Sequence, residues 1–189
     1  MPSPTHRLLG IAVVLCFALA PLARAADDAS EINRLFAAGQ ANEAFAKLDA
    51  LIAAKPRDPA WRFQKGVLLA EARRSDEAAS IFTQLTVDYP DIPEPYNNLA
   101  VIQAARGDYD RARASLDAAI RAKPDYAVAH LNLGDVHAQL ARGEYLRAQQ
   151  LDPSNTTIAP KLALIRELVK PAATAAPMPA SPAASATRK

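Results

Sequence analysis

Between residues 30 and 153 apolar positions recur at steps of three and four, and turn-forming residues stand near each break in the pattern. That periodicity predicts a run of short amphipathic helices joined in antiparallel pairs. Alternation of apolar and polar residues with the period of two that strands require is absent. Ser30 is placed as the N-cap of a first helix running through about Ala38, with Gly39 as the break and Ala41 to Ala54 as its partner. Pro59 opens the next helix, where its missing N–H costs nothing; this helix runs through Trp61, Phe63 and Leu69 to about Arg73, and Asp76 to Asp88 pairs with it. Pro93 to Ala105, the turn Arg106-Gly107-Asp108 and Tyr109 to Ala122 form the clearest pair.

The pairs are copies of one unit. Pro56, Pro90 and Pro124 are 34 residues apart, and the same step relates Ala44, Ala78 and Ala112, then Leu48, Phe82 and Leu116, then Leu51, Leu85 and Ala119, and in the first helix Gly66, Ala100 and Gly134. A fixed interval of this length marks a helical repeat array. In its third copy the chain resembles the tetratricopeptide repeat proteins, through Tyr96, Leu99, Ala100, Gly107, Ala112, Leu116, Ala119 and Pro124. The second copy agrees at Gly66, Ala78, Phe82 and Pro90, with Trp61 one position early, and the first agrees mainly in its second helix. The resemblance covers about residues 26 to 153, in units of 26–58, 59–92, 93–126 and a truncated 127–153. It implies an all-α, right-handed superhelix of about three and a half hairpins, used for protein–protein interaction.

The fourth unit departs from the pattern, because Pro153 follows Pro124 by 29 residues instead of 34. His130, Leu133, His137, Leu140, Glu144 or Tyr145, Ala148 and Leu151 keep one helical stripe across the deletion. One continuous helix of roughly 36 Å is therefore expected from Ala127 to Gln150, at about 1.5 Å per residue, the alternative being a short hairpin broken at Gly143. Residues 154–170 read as a capping helix started by Thr156 or Thr157, with Pro160 in its first turn and Leu162, Leu164, Ile165, Leu168 and Val169 as its apolar side. From Pro171 to Lys189 the chain is almost entirely Ala, Pro, Ser and Thr, a composition that buries too little to offset ordering, so a disordered tail is expected.

Residues 1–25 have the three parts of a secretory leader: Arg7, the apolar run Leu8 to Ala20, and Ala23-Arg24-Ala25 before a cleavage point at Ala26. The run is shorter than a membrane span requires. Cys16, the only cysteine, would leave with the leader, and Leu15 before it does not fit a lipidation signal. Removal also takes Arg7 and Arg24, and the remainder balances 20 Lys+Arg against 20 Asp+Glu, so no basic footprint for nucleic acid or anionic membrane remains. A leader without disulfides points to a bacterial periplasmic or secreted protein.

Catalytic and cofactor motifs are missing: there is no G-x-S-x-G, H-E-x-x-H, phosphate-binding loop or dinucleotide fingerprint. No enzyme, cofactor or metal is expected. His130 and His137 share a helical face but lie about 10.5 Å apart along the axis, and His130 is read as standing in for an aromatic residue. Asn155-Thr156-Thr157 matches a glycosylation sequon and is read as a capping segment.

The resemblance places the informative surface on the first helix of each hairpin. Phe63, Val67 and Glu71, then Asn97 and Val101, then Leu131 and Asp135 would form it, with Ala70, Ala104 and Ala138 beside them. Gln64, Asn98 and Asn132 repeat at the same step, with Ser30 before them, and in some members of the family an asparagine ladder here holds a peptide backbone. Glu71, Glu94 and Asp135 stand in this groove without facing bases, so the expected partner is a neutral or basic, partly apolar protein segment. Self-association through the long helix, and service as a non-catalytic subunit of an envelope enzyme, are the alternatives.

Overall fold

The computed structural model describes residues 20–169, and side chains from residue 25. Most of the leader and the whole of 171–189 therefore lie outside the described residues. Among those described there are eight helices and no strand. They form two compact units, one ending at Ala54 and one beginning at Lys55.

The first unit is a hairpin of α1 (Ala20–Ala37) and α2 (Ala41–Ala54). Ile32, Ala44, Phe45 and Leu48 are its buried residues, with the Phe36 ring set edge-on to Phe45 at 6.2 Å. Lys47 bridges Asp28 and Glu31, and those two hydrogen bonds, Glu31 foremost, raise its pKa. Ser30 does not cap this helix. It lies in the interior of α1, because alanine, which dominates the stretch before it, has the highest helix propensity of any residue and carries the helix back to Ala20.

The second unit contains α3 (Pro59–Glu71), α4 (Ser75–Asp88), α5 (Pro93–Ala105), α6 (Tyr109–Ala122), α7 (Ala127–Leu151) and α8 (Ile158–Leu168). Proline stands in the first turn of α3 and α5, and the Asp58 carboxylate accepts from the Ala60 N–H at 3.0 Å to cap α3. Consecutive helices pack on one another throughout, and α5 also touches α7. Small residues set the spacing. A Cβ on Gly66 would stand 2.8 Å from Cε1 of Phe82, so the backbone of α3 rides directly on that fully buried ring. Ala100 and Ala112 hold the equivalent places around Leu116. Enlarging Ala112 to leucine overfills this packing and is expected to cost about 1–3 kcal/mol; an unchanged melting temperature of the Ala112→Leu variant would show that the packing has been misassigned.

Each of the first three hairpin turns closes in the same way. The amide of Gln40 donates to Leu35, that of Arg74 to Leu69 and that of Asp108 to Gln103, with the residue before each held at positive φ. Gly39 and Gly107 adopt φ +78° and +79°, as glycine does readily, but Arg73 fills the same place in the second turn at +60°. Left-handed backbone costs an L-residue roughly 1–2 kcal/mol, partly offset in a glycine by the extra freedom of its unfolded chain. Arg73→Gly is accordingly expected to raise stability by about 0.5–1 kcal/mol, read as a higher urea midpoint. A lower midpoint would mean that the Arg73 side chain contributes more than its strained backbone costs.

The next position at this step is Ala141, and there α7 simply continues. It is a single 25-residue helix with Gly143 inside it, the continuous form of the two expected. Its first half packs on α5 and α6 through Ala129, Leu133, Val136 and Leu140, and its last turns carry α8. Thr157 takes the N-cap position of α8, but its hydroxyl donates to Asn155 Oδ1 at 2.7 Å instead of capping the helix. His130 occupies the place that Tyr96 holds one repeat earlier. Tyr96 turns its hydroxyl into the Thr86 carbonyl, whereas the His130 ring is exposed with Nε2 2.9 Å from the Pro124 carbonyl.

Candidate functional site

Phe63, Asn97 and Leu131 are successive copies of one position on α3, α5 and α7, and they behave differently because their neighbours do. In the second repeat Phe63 leans on Phe82, with ring centroids 5.6 Å apart, and the two aromatics fill the space between α3 and α4. One repeat later the same two positions hold Asn97 and Leu116. Both are smaller, and the space left over is a cleft of about 180 Å³ lined by Ala100, Val101, Ala104, Leu116, Asn132, Asp135 and Val136. Such a volume matches one aliphatic side chain better than a whole ligand, since small-molecule sites run to about 300 Å³ or more.

The polar edge of the cleft is fixed from beneath. Asn97 is 6% exposed, and its Oδ1 accepts a 2.8 Å hydrogen bond from Nδ2 of Asn132, tying α5 to α7. Asn98 spends its Nδ2 on the Glu94 carbonyl one turn back in its own helix, at 2.9 Å. The amides at the ladder position are thus engaged within the fold, and Asn132 pairs with the neighbour of Asn98 rather than with Asn98 itself.

The apolar edge is open. Val101 is 49% exposed and Leu131 67% exposed, four residues before Asp135 on α7 and therefore on the same side of the helix. Asp135 is exposed and has no ion-pair partner among the described residues. Near the start of α7, burial and then the Glu94 carboxylate push the Tyr126 phenol above its usual range.

Of the residues expected to form a groove, the structure gathers Val101, Asn132 and Asp135 at one cleft, with Asn97 as their support. Phe63, Gln64 and Val67 are half-buried on α3 and Glu71 is exposed at its end, outside the cleft lining. Leu116, which forms the floor, was missed because it belongs to the second helix of its hairpin and reads as core. Its signal was the step of 34: a phenylalanine pair in one repeat becomes an asparagine and a leucine in the next. No group of three metal-ligating side chains occurs among the described residues, and none of their helices is long and apolar enough to cross a membrane.

A family model described as tetratricopeptide repeat matches residues 35–100, and a second, described as TPR repeat, matches 102–140. The structure of MamA is similar at a TM-score of 0.53 and 18% identity, over 72% of this chain and 82% of that one. A thermophilic TPR protein of Thermus thermophilus gives 0.52 and 20%, over 75% and 81%. Naa15/Naa10 bound to HypK-THB gives 0.51 and 13% over 77% of this chain, which spans only 23% of that one. At these identities the likeness is one of fold.

Proposed function

The chain belongs to the tetratricopeptide repeat family, and from that premise we propose that it is a protein–protein interaction module whose docking surface is centred on the α5–α7 cleft. The observation that carries this reading is the combination at that cleft. Val101 and Leu131 remain exposed beside an unfilled apolar space, while Asp135 offers at its edge a carboxylate with no ion-pair partner among the described residues. Apolar surface left open in this way is worth about 25 cal/mol per Å² when a partner covers it, and the carboxylate selects a segment with a basic residue next to its apolar anchor. The absence of nucleophile and metal-ligand motifs from the sequence supports a non-catalytic role. The leader supports work in the bacterial envelope, periplasmic or secreted, and N-terminal sequencing of the protein recovered from that fraction should begin at Ala26.

The reading is tested by crosslinking capture from the envelope fraction with the parent chain and a Val101→Asp, Leu131→Asp variant. Both positions are on the surface, so circular dichroism should be unchanged. Capture of the specific partner is expected to fall more than tenfold, about 1.4 kcal/mol or more of binding energy. Equal recovery by parent and variant would remove the cleft from the interface.

A second reading has its own observation. Leu146, Leu151, Leu164 and Leu168 are exposed on the end of α7 and on α8, which favours self-association there. Light scattering at low micromolar concentration separates the two, since a constitutive dimer that persists in the cleft variant supports the second.

A further inference from the structure

One face of α7 is complementary to itself when the helix is reversed. Leu131, Asp135, Arg142 and Leu146 follow one another at steps of four, seven and four, and at 3.6 residues per turn they fall within a sector of about 60°. Turning the helix end for end lays leucine on leucine and aspartate on arginine. We propose that α7 is a dimerisation element that pairs antiparallel with α7 of a second copy of the chain. Leu131 then lies against Leu146 of the second copy and Asp135 against its Arg142, each contact being made twice about a two-fold axis between Ala138 and Gln139. The proposal needs no foreign partner, and it differs from association through α8, in which Leu131, Asp135 and Arg142 take no part.

Three observations carry the assignment. The first is exposure. Leu131 is 67% exposed and Leu146 38% exposed, and Asp135 and Arg142 are exposed without an ion-pair partner among the described residues. The two charges cannot serve one another within a chain, since seven residues of helix separate them by about 10.5 Å along the axis. A second copy running the other way supplies both, as a two-fold contact does whenever residue i meets j and j meets i. The second observation is where the midpoint falls. Helix α5 ends at Ala105, and one step of 34 beyond it is Gln139, where the first helix of a complete repeat would stop. Leu131 and Asp135 therefore belong to the ordinary half of α7, and Arg142 and Leu146 to its extension through the missing turn. The self-complementary face exists only because the turn was lost. The third is the charge itself. The counterparts of Asp135 in the two preceding repeats are Val101 and Val67, so the repeat does not call for a carboxylate here. Exposed ion pairs add little affinity, but they decide direction. In a parallel pair Asp135 would face Asp135 and Arg142 would face Arg142, and such like-charge contacts suppress the wrong arrangement. The leucines supply the adhesion and the charges the register. Because Leu131 and Asp135 also edge the α5–α7 cleft, a partner that uses this edge must separate the two copies.

Light scattering of the parent chain and two charge-reversal variants across the micromolar range tests this. The parent is expected to approach the mass of two chains as its concentration rises. Asp135→Arg and Arg142→Asp each set like charges against one another at both ends of the pair, so each variant alone is expected to stay a monomer. Both positions are exposed, and circular dichroism should be unchanged. An equimolar mixture of the two variants is expected to regain the two-chain mass, because every charged contact between them again joins arginine to aspartate. A parent chain that remains monomeric would overturn the proposal. So would a dimer that neither single reversal weakens, which would move self-association to the α8 leucines, or single variants that fail to recombine when mixed. Arg142 is not part of the α5–α7 cleft lining, so the dimer can fail in the Arg142→Asp chain while capture of a partner at the cleft persists.

Discussion

Replacing Phe82 by alanine lowers the unfolding free energy by about 3–5 kcal/mol, the largest effect among the substitutions proposed for this chain. Phe82 has no exposed surface, lies under the α3 backbone at Gly66 and leans on Phe63, so nothing can settle into the space that its ring vacates. Gly66 has no side chain that could extend towards it. Loss of the ring therefore combines the lost transfer of its apolar surface with a cavity that closes only in part. Urea unfolding followed by the fluorescence of Trp61, the only tryptophan, on the same hairpin, reads the change directly. A midpoint within error of the parent would mean that α3 and α4 are not packed through this ring. The total stability of a domain of this size is commonly about 5–15 kcal/mol, so the variant is expected to lose a large part of its margin against unfolding.

Leu116→Ala is expected to cost about 2–3 kcal/mol, less than Phe82→Ala although both occupy the same repeat position. Leu116 is buried among Ala100, Ala112, Ala119, Ala129 and Val136, but its outer side already borders the cleft. Deleting its branched end enlarges a space that water reaches, instead of opening a sealed cavity. The functional consequence runs the other way. If a partner side chain inserts into the cleft as proposed, Leu116 is the floor it packs against, so partner capture should fall even at temperatures where the variant is folded. Calorimetric melting together with capture at a temperature well below the transition distinguishes the two contributions. A variant that loses stability but captures its partner fully would place the anchor of the interface elsewhere than the cleft floor.

The contrast between Phe82 and Leu116 also explains how the site came to be where it is. Repetition by itself would give equivalent interfaces between successive helices. The substitution of Phe63 and Phe82 by Asn97 and Leu116 one repeat later removes two aromatic rings from one of them. The carboxamide of Asn97 is then satisfied by Asn132 instead of being left unpaired in the interior, where an unmet polar group would cost about 1–3 kcal/mol. An opening has been made without a compensating defect.

Much of this architecture was legible in the chain alone. The step of 34 determined that the protein is an array of helical hairpins, because close helix crossings need a small residue at Gly66, Ala100, Ala78 and Ala112 in every copy, and proline and glycine favour the ends of helices. The loss of five residues after Pro124 favoured a continuous α7 by its unbroken apolar stripe but left a short hairpin broken at Gly143 open, and the packed structure decided for the single helix. What only the tertiary structure decided is which of the repeated polar positions face outward. Asn98 and Asn132 are identical by sequence step, yet one bonds to its own helix and the other crosses to Asn97, because the choice depends on which carbonyl or carboxamide lies within hydrogen-bonding distance once the helices have packed. The cleft is of the same kind. It is the difference in volume between facing side chains on α5, α6 and α7, a quantity that exists only after those three helices are brought together.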